Sequence, residues 1–375
     1  MKVNNVKKDW FIIDNPEHLD SPALVFYPER IKENIERLKE KIDKPERLRP
    51  HVKTHKSAEI TLLMMEGGIT KFKCATIAEA EMLGACRAPD VLLAYQLVGP
   101  KIDRFIQLVK TFPETSYSCL LDNEVSLADL SHAALNAEIE IYVFIDIDAG
   151  MNRTGIKPGA DALSLYEKIT INAGLNIKGL HIYDGHVHDA SFELRKKQWI
   201  PIWESIQQLR DSVINNGHTA PVIVAGGTPT FPFYAGQPDI ECSPGTFILW
   251  DKGYQDAFQE QDYLTAALVV TRVISLREGN KISVDLGHKS IAAENVLSQR
   301  VYFLNAQKAE FAGQSEEHLV LDVGANHRFA IGDILYGLPI HICPTVALYE
   351  RAATIINHQV KEDWNIISRD RKITI

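Results

Sequence analysis

The sequence predicts an α/β fold, a (β/α)8 TIM barrel followed by an all-β domain. Three observations carry this. Short apolar runs alternate with amphipathic helical stretches through the first two thirds of the chain. After about residue 245 helical periodicity gives way to alternating, β-rich segments. The residues able to do chemistry gather just past the ends of the apolar runs, where barrel enzymes keep their catalytic groups.

The apolar runs, in order, are Ala23–Tyr27, Leu48–Lys53, Lys71–Thr76, Asp90–Tyr95, Thr115–Asp122, Ile139–Asp148, Leu175–Tyr183 and Pro221–Gly227. They are rich in Val, Ile and Tyr and bounded by Gly, Pro, Asn or Asp, as strands are. Pro28–Ile42 is predicted helical: Pro28 suits a first turn, and Ile31, Ile35, Leu38 and Ile42 recur at helical spacing. Ser57–Glu66, Ile77–Gly84, Lys101–Thr111, Val125–Asn136 and Phe192–Asn216 are the other helical stretches. Repeated strand–helix alternation means parallel strands with crossover helices, and eight runs point to a closed barrel over residues 20–245. Beyond it, Asp262–Leu276, Lys281–Leu286, His318–Val323 and Ile331–Ile342 read as strands. Turns are expected at Glu278-Gly279-Asn280 and Gly324-Ala325-Asn326, and the segments form a β domain over 246–375.

Composition narrows the partners. The 375 residues carry a formal charge of −9 with dispersed Lys and Arg, so no basic face is present to neutralise nucleic-acid phosphates. No apolar run approaches the roughly 20 residues of a membrane span, and residues 1–8 lack the apolar core of a signal peptide. The five cysteines are too scattered for a disulfide framework, which fits a cytoplasmic, reducing compartment. Cys74, Cys86 and Cys119 sit in or beside apolar runs and read as core, His55 and His132 read as surface or satisfied residues, and Lys56 reads as a solvated neighbour of Lys53.

Four segments fall at strand ends. Lys53 closes Arg49-Pro50-His51-Val52-Lys53. Partial burial would free its amine to attack an aldehyde; equally, a barrel-mouth lysine can simply pair with a carboxylate. Arg153 lies in the Gly-flanked loop Gly150-Met151-Asn152-Arg153-Thr154-Gly155, suited to an oxyanion or to an ordinary ion pair. Tyr183, His186 and His188 follow the next run. Gly226, Gly227 and Thr228 follow the last and could offer N–H groups and a hydroxyl to phosphate, or form only a tight turn. In the β domain, His341 and Cys343 in Pro339-Ile340-His341-Ile342-Cys343-Pro344-Thr345 would share one face of a strand and could aim an imidazole and a thiolate at zinc. The alternative is a small buried thiol beside a packed histidine.

These segments, in this order, resemble the D-threonine aldolase and D-serine dehydratase family of alanine racemase-like, fold-type III pyridoxal-phosphate enzymes. Arg49-Pro50-His51-Val52-Lys53-Thr54-His55-Lys56 resembles the cofactor-lysine segment. Asp146 to Gly155, Tyr183-Asp184-Gly185-His186, Gly226-Gly227-Thr228-Pro229 and Pro339 to Thr345 match in turn, over roughly residues 20–370. The resemblance implies a barrel binding pyridoxal 5'-phosphate and a homodimer with shared active sites. It also implies an N-terminal strand (residues 1–19) joined to the β domain, so that Ala23–Tyr27 could itself leave the barrel. Carried over, Lys53 is the Schiff-base lysine, Arg153 meets the cofactor's phenolic oxygen and Tyr183 lies near its ring. Gly226, Gly227 and Thr228 hold the phosphate. His341 and Cys343 bind a metal that grips a D-amino acid substrate's 3-hydroxyl: Zn2+, with Mn2+ or Mg2+ as alternatives. Aldolases of the family tend to carry Asp at the place of Cys343, so the cysteine favours zinc and the dehydratase branch.

The implied reaction is a lyase reaction on a D-3-hydroxy amino acid. Removal of the Cα proton by Lys53 leads to dehydration, whereas removal of the hydroxyl proton by His186 or His188 leads to retro-aldol cleavage. A racemase would leave the metal idle. A non-catalytic pyridoxal-phosphate carrier fits poorly, because such carriers are single barrels without a second domain.

Overall fold

The structure is a computed structural model, described for residues 8–375. The chain divides into two compact units. One is built from the residues up to Asn34, Ile248–Asp256 and Tyr263–Ile366; the other from Ile35–Phe247, Ala257–Asp262 and Ile367–Ile375.

In chain order the first eight strands are β1 (Ala23–Phe26), β2 (Lys71–Cys74), β3 (Asp90–Gln96), β4 (Ser116–Leu121), β5 (Ile141–Ile147), β6 (Leu175–Ile182), β7 (Val222–Ala225) and β8 (Ile240–Cys242). Strands β2 to β8 pair successively and in parallel. The gap between β8 and β2 is filled by residues 48–51: Leu48 bridges Cys242, and His51 bridges Lys73. Arg49 N–H donates to Cys242 O at 2.8 Å and Lys73 N–H to Pro50 O at 2.9 Å, which closes the ring. Pro50 has no N–H to give, so this staff of the barrel is held by isolated bridges instead of a regular ladder. Leu92, Leu120, Phe144 and Val224 form a buried cluster.

Arg49 is the clamp of the closure. Its guanidinium is 1% exposed. Nε donates to Glu241 Oε2 at 2.7 Å, and Nη1 and Nη2 fork onto Asp90 at 2.8 and 3.1 Å. Lys71 also contacts Glu241. The two carboxylates hold the guanidinium charged despite its burial, which by itself would lower its pKa.

Two expectations need correction here. Ala23–Tyr27 is not a barrel strand, and residues 20–34 lie outside the barrel unit: β1 pairs antiparallel with Ala267–Leu276 and parallel with Arg351–Ile356. A strand covered on both faces reads as a continuous apolar run in either sheet. The eighth barrel strand is instead β8, and its signal was hidden by its length of three residues and by Glu241 at its centre. The expected N-terminal strand at 1–19 falls partly outside the described residues; those from 8 to 19 hold only the 3-10 turn Pro16–His18.

The helices form where expected: Ala58–Glu66, Ile77–Ala85, Pro100–Thr111, Glu124–Asn136 and Phe192–Asn215, with Ala160–Thr170 in addition. Side chains cap three of them, with Thr76 accepting from Glu79 N–H, Asn123 from Ser126 N–H and Ser191 from Leu194 N–H.

The second unit is a β domain. After β1 come β9 (Ala267–Leu276), β10 (Lys281–Val284), β11 (Val301–Phe303), β12 (Glu310–Gln314), β13 (Leu319–Asp322), β14 (Ile334–Pro339), β15 (Arg351–Ile356) and β16 (Gln359–Asn365). The sheet runs β12-β13-β10-β9-β1-β15-β16, with β14 also on β9 and β11 on β14. Phe11, Val25, Tyr27, Leu268, Val270 and Tyr336 are among its core residues.

Candidate active site

A cavity of about 570 Å³ opens at the C-terminal ends of the barrel strands. It is lined from the first staff by His51 and Lys53, from β2 by Lys73, from β3 by Gln96, from β5 and its loop by Arg153, and from β6 by His181 and Tyr183. Lys53 sits in the 3-10 turn Val52–Thr54 directly after the first staff, its N–H donating to His51 Nδ1 at 3.2 Å. The Tyr183 ring is the hub. Lys53 Nζ lies 5.5 Å from its centroid, Lys73 Nζ 5.9 Å and Arg153 Cζ 5.1 Å.

The loop carrying Arg153 is fixed from below. Asp148 accepts from the N–H groups of Gly150 and Asn152, both at 3.0 Å. Gly155 has φ +98, and a side chain there would meet Asp148 N at 2.6 Å, so only glycine lets the loop return to β5. Thr154 Oγ donates to Asp146, and Gly155 N–H to Asp122.

Lys73 was not singled out by sequence, because it lies inside the run Lys71–Thr76. It is 2% exposed. Burial, reinforced by the Lys53 charge, pushes its ammonium down to about 7 against the pull of Asp184 and Asp146. Asp184, also buried, accepts from the hydroxyls of Thr230 (2.8 Å) and Tyr234 (3.0 Å) and ties β6 to the loop after β7; burial raises its carboxyl despite these bonds.

The Gly226–Thr228 loop is partly committed. Gly226 N–H donates to Ile182 O and Gly227 N–H to the Thr230 hydroxyl. Thr228 Oγ accepts from the N–H groups of Gly245 and Thr246, both at 3.1 Å, leaving its own proton to give. Gly227 lies against Tyr183: a side chain at 227 would meet the ring at 3.1 Å.

His186 and His188 are exposed and absent from the cavity lining; His186 packs on Gly150. The imidazoles that do line the cavity are His51 and His181, and both stand within strand runs where sequence gives no reason to prefer them. Lys56, expected in solvent, contacts the fully buried Glu79, and His55, expected to be a surface or satisfied residue, is 1% exposed with Nδ1 accepting from Ser57 N–H. Cys74 and Cys119 are core and Cys86 is half-buried, and none of the five cysteines forms a disulfide.

In the β unit, His341 and Cys343 are not on a strand. β14 ends at Pro339, His341 occupies the N-cap position of the short helix Ile342–Val346 without a side-chain capping bond, and Cys343 is in its first turn. The buried carboxylate of Asp251 accepts from Ile342 N–H at 3.0 Å and from Tyr254 N–H at 2.9 Å. Burial raises it to about 6. The turn still brings imidazole and sulfur together. Burial disfavours the His341 cation, but Cys343 and Glu294, whose Oε1 is 2.6 Å from His341 Nδ1, raise it to about 9. Among the described residues no group of three or more His, Cys, Asp or Glu is placed to hold a metal ion. No helix of the described residues is long and apolar enough to cross a membrane.

A parallel barrel with a lysine, an arginine and an aromatic ring at its mouth, followed by a β domain, defines an alanine racemase-like enzyme. Residues 28–249 match the family described as alanine racemase, N-terminal domain, and residues 266–355 match the putative serine dehydratase domain. The chain belongs to the alanine racemase N-terminal domain family. It is 26% identical to the D-threonine aldolase of Arthrobacter sp., over 94% of this chain and 93% of that one. It is 26% identical to the D-threo-3-hydroxyaspartate dehydratase of Delftia sp. (strain HT23), over 88% and 93%. The crystal structure of D-threonine aldolase from Filomicrobium marinum superposes with a TM-score of 0.85 at 24% identity, over 93% of this chain and 95% of that one.

Proposed function

We infer that this chain is a pyridoxal-phosphate- and divalent-metal-dependent lyase acting on D-3-hydroxy amino acids. One observation carries the cofactor: Lys53, Lys73 and Arg153 surround Tyr183 at one cavity, and Lys73 is a buried amine whose charged form burial disfavours, with no carboxylate within ion-pairing distance among the described residues. An unpaired buried charge is expensive, so such a cavity suits an anionic ligand. Pyridoxal phosphate fits this donor set. Lys53 would bond its aldehyde carbon, Arg153 its phenolic oxygen and Thr228 its phosphate, with Tyr183 against its ring. When bound, the cofactor supplies the electron sink that stabilises negative charge at Cα. Lys53 would be the amine placed to take the Cα proton. Arg153 contributes positive charge at the mouth, and an anion bound beside Lys73 would favour its protonated form.

The relatives include both an aldolase and a dehydratase, so the lyase class is supported by both and the choice between them is not. His341 and Cys343, a nitrogen and a sulfur donor, suit zinc better than the harder magnesium. Such an ion would polarise the substrate's 3-hydroxyl. Exposed Tyr95 and Val98 at the cavity rim support a homodimer in which a partner covers the mouth.

The test of the cofactor is borohydride reduction of the pyridoxal-phosphate-loaded protein followed by peptide mapping. The pyridoxyl group is expected on Lys53. A Lys53→Ala protein that still forms a reducible adduct, or a label on Lys73, would refute the assignment.

A further inference from the structure

His181 is 3% exposed, lines the barrel cavity, and its Nε2 has no hydrogen-bond partner. Its other nitrogen is engaged: Nδ1 lies 2.8 Å from Asp146 Oδ1. Asp146 is itself oriented, because Oδ2 accepts from Gln96 Nε2 at 2.7 Å and from Thr154 Oγ at 2.9 Å. Gln96 Nε2 also donates to Asp122 at 3.0 Å. The carboxylate can only accept, so Nδ1 carries the proton and Nε2 presents a lone pair. A buried acceptor without a donor is unfavourable, and a donor in the cavity would satisfy it. The charged groups facing the imidazole are Asp146 from β5, Lys73 from β2 and Arg153 from the loop after β5.

We propose that the Asp146–His181 pair is a second proton-accepting element of this site, with His181 Nε2 taking a hydrogen bond, and during turnover a proton, from an N–H or O–H of the molecule bound in the cavity. The proposal rests on the lyase reading above and adds a residue to it. The transfer balances simply: the ligand's N–H or O–H bond breaks, an Nε2–H bond forms, and the imidazolium is countered by Asp146, as in other carboxylate–imidazole pairs. Two sources offer such a proton, the ring nitrogen of pyridoxal phosphate and the 3-hydroxyl of a substrate.

The test is nitrogen-15 NMR of histidine-labelled protein, with the His181 signals among the thirteen histidines identified by their loss in His181→Gln. In the cofactor-free protein Nδ1 is expected to be protonated and Nε2 bare. Pyridoxal phosphate is then added alone, and again with D-serine or with D-alanine, which lacks the hydroxyl. Movement of Nε2 toward its hydrogen-bonded or protonated position with the cofactor alone assigns the ring nitrogen. Movement with D-serine only assigns the hydroxyl. Asp146→Asn is the control on polarity. Gln96 and Thr154 both donate at the Oδ2 position and fix the new amide oxygen there, so the amide NH2 faces Nδ1 and forces the proton to Nε2. This variant is expected to show the inverted tautomer, to bind cofactor, and to lose about 10²–10⁴ in kcat with little change in KM. An Nε2 signal unmoved under all additions, in protein whose absorbance shows bound cofactor, overturns the proposal alone. Absence of cofactor uptake overturns the lyase reading and this proposal with it.

Discussion

Lys73→Met is expected to stabilise the cofactor-free protein. Burial lowers the Lys73 ammonium from its ordinary 10.5 to about 7. Above pH 10.5 the amine is neutral folded or unfolded, and its ionisation costs nothing. As pH falls below that value the unfolded chain takes up a proton that the folded barrel does not, so stability drops by about 1.4 kcal/mol per pH unit. The loss ends near pH 7, where the folded protein also protonates. Across that interval it amounts to roughly 5 kcal/mol, a large share of the 5–15 kcal/mol typical of a domain. Methionine has a similar volume and no charge, and such swaps cost about 1.5 kcal/mol or less. The variant should therefore exceed the parent by roughly 3–5 kcal/mol at pH 6, with the gap closing between pH 7 and 10. Urea unfolding of both proteins at pH 6, 7.5 and 9 measures this. A variant less stable than the parent at pH 6 would show that Lys73 is paired and that the cavity is not short of negative charge. With pyridoxal phosphate present the order should narrow or reverse, because an anion in the cavity offsets the buried cation.

Two further outcomes follow from the same reasoning. Cys343→Ala is expected to lose bound zinc and lyase turnover together while the borohydride-reducible adduct on Lys53 still forms; full turnover without metal would leave His341 and Cys343 as packing residues and make a racemase the better reading. Light scattering of the loaded protein is expected to give a dimer, and a fully active monomer at nanomolar concentration would remove the partner from the site.

Much of this protein was legible in its sequence, for local reasons. Period and punctuation located the helices between Ala58 and Asn215 except Ala160–Thr170, and six of the seven regular barrel strands, since each such segment buries a continuous face and is bounded by residues that break it. The sequence singled out Lys53, Arg153 and Tyr183 because barrel chemistry sits where strands end, and all three line the cavity. Tertiary structure decided what depends on distant partners. β1 joins the β domain because its register with β9 and β15 is there, which an apolar run bounded by prolines cannot express. β8 is a strand because Arg49 and Lys71 meet Glu241, whose charge hides the strand from hydropathy. His341 and Cys343 meet through a helix start anchored by Asp251, 90 residues earlier in the chain, and not through strand alternation. Lys73 and His181 belong to the cavity for the same reason: the sequence placed both in apolar runs, and only barrel closure determined that their polar ends face a common space, where desolvation changes what they can do.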